Sequence, residues 1–296
     1  EMVVIGYGQV ERKDVTGAVS SVSSKQITDI ASPNFMDAIQ GKVPGLDVTL
    51  GSSAPGQQMG LLIRGKGSIT ASNEPVVVVD GMPIQGGLNE INPADIESIE
   101  VLKDASSTAI YGSRGSNGVI LITTKRGKNG QSRVALDSYV GITSVSKKLD
   151  LMNGEEFAEL KREANRAAGN DATDENLFDA IALKNLQAGN YTDWQDLMFK
   201  NGIQQNHQLS ISGGNEQLKS AVTVGLFDEK GVIDDFDFRR LNLRTNLDYK
   251  VTNWLKIGTS SMLSMSKTNS SNPDGQNIFD NIIRLNPLGD AYDEEG

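Results

Sequence analysis

The sequence contains no cysteine and only one histidine, His207. The lack of cysteine excludes disulfide bonds, thiolate metal sites and thiol nucleophiles from these 296 residues. A single histidine cannot supply a paired-histidine acid/base site or a histidine-rich metal site. No nucleophile and base can be paired elsewhere in the sequence, so we expect a protein that is not an enzyme and that holds no cofactor or metal ion.

Basic clusters and long apolar runs are also missing. The net charge is −10, and a nucleic-acid interface would need clustered Lys and Arg, so we expect no nucleic-acid partner. The longest apolar runs, residues 76–79 and 119–122, are far shorter than the roughly 18 residues of a membrane-spanning helix. A transmembrane barrel stays compatible with this, because its strands alternate apolar and polar residues. No basic and apolar leader follows Glu1, so we expect any export signal to lie upstream.

Before about residue 128, short apolar runs alternate with turns that contain glycine or proline. This texture is typical of a compact α+β domain. Asp95 is predicted to cap or turn the chain before a strand. The predicted strands cover residues 61–64, 76–80, 96–103 and 118–125, and short helices are predicted at residues 34–40 and 104–111.

After residue 128 the sequence alternates with the period of two that a β-strand requires. The clearest strand has an apolar row and a polar row, in which Leu241, Leu243, Thr245, Leu247 and Tyr249 alternate with Arg240, Asn242, Arg244, Asn246 and Asp248. Weaker alternation predicts four more strands, at residues 134–143, 207–212, 221–226 and 255–265. Two helices are predicted between the first two strands, at residues 154–168 and 176–188.

Tight turns and long connections alternate between these strands, as they do in outer-membrane barrels. Tight turns are predicted at residues 213–217 and 250–253, and long connections at residues 144–203 and 228–237. Aromatic residues flank both kinds of connection and predict the two girdles of a barrel, with Tyr249 and Trp254 at one and Phe227, Phe236 and Phe238 at the other. The same alternation builds soluble β-sandwiches, so the pattern alone leaves a barrel and a sandwich equally open.

Motifs that could carry chemistry have simpler explanations. Gly112, Gly115 and Gly118 lack the spacing of a phosphate loop, and we interpret them as turn and packing glycines. The acidic loop at residues 228–237 does not follow the order of a helix-loop-helix calcium site. Carboxylates are plentiful, but no pair has a context that would fix the separation for acid/base hydrolysis, and we expect most of them to be solvated. They include Asp80, Glu97, Glu100, Asp104, Glu155, Glu156, Asp234, Asp235 and Asp237.

The first residues form a short apolar segment, Met2, Val3, Val4, Ile5 and Gly6, which a polar stretch follows. A strand tethered in this way is suited to adding an edge to the sheet of another protein. An ordinary first strand of the domain's own sheet explains the segment equally well.

Several blocks of the sequence resemble one family. Residues 1–8, Glu-Met-Val-Val-Ile-Gly-Tyr-Gly, resemble the TonB box of SusC/RagA-type TonB-linked outer-membrane proteins. The most specific block contains Asp-Ile-Glu-Ser-Ile-Glu-Val-Leu-Lys-Asp-Ala at residues 95–105 and Ile-Tyr-Gly-Ser-Arg-Gly-Ser-Asn-Gly-Val-Ile at residues 110–120. Further similar segments lie at residues 14–22, 38–48, 63–65, 206–214 and 243–257.

The resemblance implies an α+β plug domain followed by antiparallel strands of an incomplete transmembrane β-barrel. It divides the chain into a TonB box and linker at residues 1–10, a plug at residues 11–128 and the start of the barrel at residues 129–296. It also assigns TonB binding to Met2–Gly6. About five strands cannot close a membrane barrel, which needs about eight or more, so we expect a piece of a longer protein.

The resemblance further implies active import of a bulky nutrient, an oligosaccharide or a peptide, across the outer membrane of a Gram-negative, Bacteroidota-type bacterium. The implied partners are TonB, energised through ExbB and ExbD, and a SusD-like surface lipoprotein. A siderophore or haem receptor is the alternative within transport. A soluble β-rich binding or adhesion module is the alternative from another class. Residues that contact the substrate are not identified.

Overall fold

The computed structural model describes residues 2–5, 8–11, 19–28, 32, 34–50, 54–57, 59–70, 72–84, 88–104, 108–270 and 278–292. They form two compact units. The first comprises Glu1–Gly141, Gln204–Glu229 and Phe238–Thr268, and the second comprises Ile142–Ile203, Lys230–Asp237 and Asn269–Gly296. Across these described ranges, no helix is both long and apolar enough to span a membrane.

The N-terminal domain, which we take as the described residues up to Thr124, contains a mixed sheet. Its strands are β1 (Met2–Ile5), β2 (Gly8–Glu11), β3 (Val19–Ser23), β4 (Leu46–Leu50), β5 (Met59–Ile63), β6 (Val76–Val79), β7 (Met82–Ile84), β8 (Ile96–Leu102) and β9 (Val119–Thr124). Five of them form a sheet in the order β3-β8-β9-β6-β7, in which β6 and β9 run parallel and the other pairs run antiparallel. The strands β1 and β2, and likewise β4 and β5, form separate antiparallel pairs.

The mixed sheet is buried on both faces. Val77 and Val79 pack into the large core cluster with Ile120, whereas Val78 packs with Leu121 in a smaller cluster. A strand that is covered on both faces needs no polar row, which accounts for the uninterrupted apolar runs. The strands predicted at residues 61–64, 76–80, 96–103 and 118–125 are confirmed to within two residues.

Short helices complete the N-terminal domain. Two α-helices cover Ser24–Thr28 and Phe35–Ile39, and 3₁₀ helices cover Leu88–Glu90, Pro93–Asp95 and Ala109–Asn117. The helix predicted at residues 34–40 is confirmed, with the Asn34 side chain accepting the Met36 N–H. Of the helix predicted at residues 104–111, residues 105–107 lie outside the described residues, and the part from Ala109 is a 3₁₀ helix that continues to Asn117. Gly112 does not close it but lies inside the 3₁₀ stretch with φ 60° and ψ −147°, a kink that glycine tolerates.

The second sheet, here called the strand sheet, contains the five predicted strands in consecutive order. They are β10 (Gly130–Thr143), β11 (Gly202–Gly214), β12 (Leu218–Lys230), β13 (Asp237–Lys250) and β14 (Lys256–Asn269). The strands are longer than predicted, and the connection between β12 and β13 shrinks to residues 231–236 as a result. The alternation of β13 is confirmed, because Leu241 and Leu247 are exposed on one face while Asn242 and Arg244 are buried on the other.

The second unit contains the helices that the sequence predicts between β10 and β11. In the predicted regions, helices cover Gly154–Ala167, Asp174–Leu177 and Ala180–Ala188. Two helices that were not predicted cover Trp194–Met198 and Ile278–Ile282. The helix Gly154–Ala167 begins at a capping box, in which Asn153 accepts the Glu156 N–H and the Glu156 carboxylate accepts the Asn153 N–H. The helix predicted at residues 176–188 is in fact two helices. The chain is extended at Phe178, and the Asp179 side chain caps a new helix by accepting the Ala182 N–H.

Candidate functional site

The inner face of the strand sheet, defined as the face that carries the polar row of β13, packs against the N-terminal domain. Arg240, Asn242, Arg244 and Asn246 are only 1–3% exposed. Burying polar side chains costs free energy unless they find hydrogen-bond partners. We call the contacts of these four residues with the N-terminal domain the polar seam.

The centre of the polar seam is an ion pair between Arg244 and Asp80. Asp80 and Gly81 form the two-residue turn between β6 and β7, and both have positive φ, as a type I′ hairpin turn requires. The Asp80 carboxylate also accepts the Thr124 N–H at 3.0 Å, the Thr124 hydroxyl at 2.6 Å and the Ser260 hydroxyl at 3.1 Å. Asp80 is therefore an exception to the expectation that most carboxylates are solvated.

A second polar cluster lies where β11 meets the N-terminal domain. The Asn92 amide donates to Gln208 Oε1 at 2.8 Å, and Gln208 Nε2 donates to Asp95 Oδ1 at 3.1 Å. Asn92, and not Asp95, caps the 3₁₀ helix that precedes β8, so Asp95 is a residue of the turn. Burial raises the pKa of the Asp95 carboxyl, although the positive charges of Arg244 and other nearby cations oppose the shift.

The outer part of the polar seam uses main-chain carbonyls of the N-terminal domain. Arg240 donates to the Asn89 carbonyl, and Asn242 Nδ2 donates to the Glu90 carbonyl at 2.8 Å. The Arg240 guanidinium also lies 5.6 Å from the centre of the Phe227 ring, a cation–π distance. Because both carbonyl acceptors belong to the 3₁₀ helix Leu88–Glu90, these bonds hold the domain in one register against β13.

Two predicted girdle aromatics lie on the inner face instead. Phe227 and Phe238 are 2% and 3% exposed, and their ring centroids are 6.1 Å apart. Phe238 lies so close to Gly56 of the N-terminal domain that a Cβ at Gly56 would clash with the ring. The girdle prediction is therefore wrong for these two residues. Trp254 is exposed, and its place in a girdle stays a prediction.

The segment that joins the two parts, residues 125–129, is fixed by three consecutive contacts. The Lys125 carbonyl accepts the Asn246 amide at 2.9 Å, and Arg126 pairs with Asp248 at 3.0 Å. A Cβ at Gly127 would lie 2.5 Å from the Ser220 carbonyl oxygen, so the backbone approach requires glycine. The C-terminal end of the N-terminal domain is thus fastened to the strand sheet.

The N-terminal strand belongs to a separate two-stranded sheet, which contains none of the strands of the polar seam. Met2, Val3, Val4 and Ile5 form β1, which among the described strands pairs with β2 alone, and Gly6 lies outside the described residues. A two-stranded sheet leaves one edge of each strand without a ladder partner. The structure therefore places these residues on a strand, and their role in binding TonB stays a prediction.

Gly115 and Gly118 lie in close contact with neighbouring backbone and side chains. A Cβ at Gly118, whose φ is 93°, would lie 2.7 Å from Ile63 Cδ1, and one at Gly115 would lie 2.7 Å from the Thr108 carbonyl. These glycines therefore serve close packing, as predicted. Among the described residues, no three His, Cys, Asp or Glu side chains form a group that could hold a metal ion.

Comparison with known proteins links this geometry to one family. Residues 11–119 match the model of the TonB-dependent Receptor Plug Domain. The chain is 39% identical over 256 residues to the TonB-dependent receptor SusC of Bacteroides thetaiotaomicron, which covers 83% of this chain and 24% of SusC. A chain of the RagAB peptide transporter superposes with a TM-score of 0.83 at 29% identity, covering 95% of this chain and 34% of that one.

The siderophore receptor PirA from Pseudomonas aeruginosa is more distant, with a TM-score of 0.52 and 18% identity over 84% of this chain and 36% of that chain. That likeness shows the fold alone. The chain spans about a quarter of the length of SusC and of two further curated relatives, the TonB-dependent receptors P3 and P39 of Formosa agariphila. The predicted fold, an α+β plug followed by antiparallel strands of a barrel wall, is confirmed.

Proposed function

This chain belongs to the SusC/RagA-type TonB-dependent receptors, and on that premise we propose that it serves the active import of a bulky polar nutrient across the outer membrane. The N-terminal domain acts as the plug and β10–β14 as part of the wall around it. The observation that carries the proposal is the polar seam, where four buried polar side chains of the wall hold the plug.

A polar seam suits a plug that has to move. An apolar contact of similar area would expose hydrophobic surface on opening, whereas polar groups exchange their partners for water at a small net cost, about 0.5–1.5 kcal/mol per hydrogen bond. The seam therefore seals the wall at rest and lets a pulling force separate the two surfaces.

The pulling force is proposed to enter through Met2, Val3, Val4, Ile5 and Gly6, with TonB adding as a strand beside β1. Main-chain hydrogen bonds along that edge provide the grip. ExbB and ExbD supply the energy through TonB. We retain the division into residues 1–10, 11–128 and 129–296 as part of this proposal.

The proposed nutrient is an oligosaccharide, and a SusD-like surface lipoprotein is the proposed partner that captures it outside. A peptide is the other substrate to test, because RagAB, whose chain superposes on this one, is a peptide transporter. Growth of a receptor-deletion strain on single oligosaccharides, on peptides and on ferric siderophores separates the three classes. Loss of growth on ferric siderophores alone would contradict the proposal.

Paired substitutions in the complete receptor test the strand-addition step. Val4→Pro removes a main-chain donor and fixes φ, so it should abolish uptake. Val4→Thr keeps a β-branched side chain and the main-chain donor, and should leave uptake close to the parent level. Both variants should reach the outer membrane in equal amounts. Normal uptake by Val4→Pro would show that the segment does not act as a strand.

A further inference from the structure

A crevice of about 670 Å³ lies between the N-terminal domain and the inner face of β10 and β11. Glu97 and Lys125 line it on the domain side, and Arg133, Asp137, Tyr139 and Asn206 line it on the strand side. In liquid water each molecule occupies about 30 Å³, so a polar space of this size is filled with water.

The crevice contrasts with the polar seam along the same sheet. The inner row of β13 is almost completely buried by the domain, whereas Arg133 and Asp137 of the inner row of β10 are exposed. On the opposite face of β10, Leu136 is also exposed, but it belongs to the apolar outer row. The plug therefore contacts the wall closely at β13, touches β11 through Gln208, and stands away from the wall at β10.

The charge of the crevice is biased. Five cationic side chains and two carboxylates line it, so positive charge is in excess although the chain as a whole has a net charge of −10. Two of these cations are already paired, Lys128 with Glu97 at 3.1 Å and Arg126 with Asp248, outside the lining, at 3.0 Å, and the remaining charge is still positive. A positive lining lowers the free energy of anions and raises that of cations.

We propose that this crevice is the hydrated route past the plug, and that it favours a neutral or anionic, hydroxyl- or amide-rich solute over a cationic one. This inference rests on the proposed import function. It adds the side of the plug on which the solute passes and the charge of the solute that passes most easily. When the plug is pulled, the crevice widens first, because fewer contacts hold the two surfaces together there than at β13.

Single cysteines in the complete, otherwise cysteine-free receptor test whether the crevice is wet and positive. Ala135→Cys lies in the crevice, Leu136→Cys lies on the opposite face of β10, and Asn242→Cys lies in the polar seam. Membrane-embedded receptor is treated with an anionic sulfonatoethyl or a cationic trimethylammonioethyl methanethiosulfonate. Ala135→Cys should react rapidly, and the other two should react at least tenfold more slowly.

The charge preference has an expected size. One net positive charge about 8 Å away in water changes the anion-to-cation rate ratio by about fivefold, before screening by salt. The ratio at Ala135→Cys, divided by the ratio for a free small thiol, should therefore favour the anionic reagent at least twofold. An unreactive Ala135→Cys, or a ratio equal to that of the free thiol, would overturn the proposal.

Uptake through the modified receptor tests the route itself. A bulky methanethiosulfonate on Ala135→Cys should reduce uptake at least tenfold, and a reductant that removes the group should restore it. Full uptake by the modified variant would refute the route while leaving the import function intact. If the unmodified receptor imports nothing, the import function fails, even where the labelling shows a wet and positive crevice.

Discussion

Replacing Arg244 by methionine should loosen the plug more than any other single change in the polar seam. The Arg244 and Asp80 side chains are 4% and 5% exposed, so the substitution leaves a buried carboxylate without its ion-pair partner. Removing one partner of a buried ion pair costs about 3–5 kcal/mol of stability. Asp80 keeps hydrogen bonds from Thr124 and Ser260, so the lower end of that range, about 3 kcal/mol, applies.

The labelling rate of Asn242→Cys in the complete receptor measures this loss. Asn242 is 3% exposed under the plug, so its cysteine reacts only when the seam opens locally. A cost of about 3 kcal/mol raises the open population, and with it the labelling rate, about 150-fold, because about 1.4 kcal/mol corresponds to a factor of ten.

Arg239→Met is the matched control on the same strand. Arg239 pairs with Asp228 at the surface, with 67% of its side chain exposed, so its loss should change the rate less than about fivefold. The double variant Asp80→Asn with Arg244→Met removes the unpaired charge and should label more slowly than Arg244→Met alone. If Arg244→Met labels within fivefold of the parent, or if Arg239→Met matches it, the seam does not hold the plug.

Two further predictions concern neighbouring sites. Gly127→Ala places a Cβ 2.5 Å from the Ser220 carbonyl oxygen and should destabilise the receptor by about 1–3 kcal/mol, which is measured as a lower Tm. The control Gly141→Ala, whose Cβ would have nothing within 4 Å, should leave the Tm unchanged. An equal Tm for the two variants would contradict this prediction. The pKa of Asp95 is raised in the folded state above its ordinary value of 3.8. Asp95 therefore contributes most to the stability of the seam below about pH 3.8, and this contribution is lost as the pH rises through the folded pKa. Labelling of Asn242→Cys across this range, compared with and without Asp95→Asn, isolates the contribution, which should be missing in Asp95→Asn.

The regular elements could be predicted because each depends on local sequence. The alternation of Leu241 and Leu243 with Asn242 and Arg244 fixes a strand with two different faces, and the structure confirms it. Periodicity could not decide whether the polar face would meet water or another domain. The resemblance of residues 95–120 to plug sequences indicates that the polar face meets another domain, and the burial of the polar row of β13 agrees with it.

The errors concern contacts between residues that are far apart in sequence. Asp80 and Arg244 are separated by 164 positions, and composition gives no sign that they pair. The Asp-Gly dipeptide after a run of four valines could have indicated a tight hairpin turn, and hence a carboxylate at a fixed position. Phe227 and Phe238 were assigned by their distance from a loop. Strand parity instead places Phe238 in the row of Arg240 on β13, and Phe227 in the row of Ala221 on β12, and both rows are buried.

The broken helix at Phe178 has a local signal that the prediction overlooked. Asp179 precedes an apolar helical segment and is a good N-cap, so the sequence itself favours a new helix start there. Tertiary contacts reinforce the break, because Phe178 packs with Ala182 and Leu186 in the core of the second unit.

Import driven through the N-terminal strand is tested by removing the segment Met2–Gly6 and TonB, separately and together. Uptake of the identified nutrient is measured in cells that carry the parent receptor or the receptor lacking Met2–Gly6, each with and without functional TonB. Loss of Met2–Gly6 alone and loss of TonB alone should each abolish uptake, and losing both should be no worse than losing either one. The amount of receptor in the outer membrane should be equal in all four strains. Uptake that persists without Met2–Gly6 and still depends on TonB would contradict this prediction.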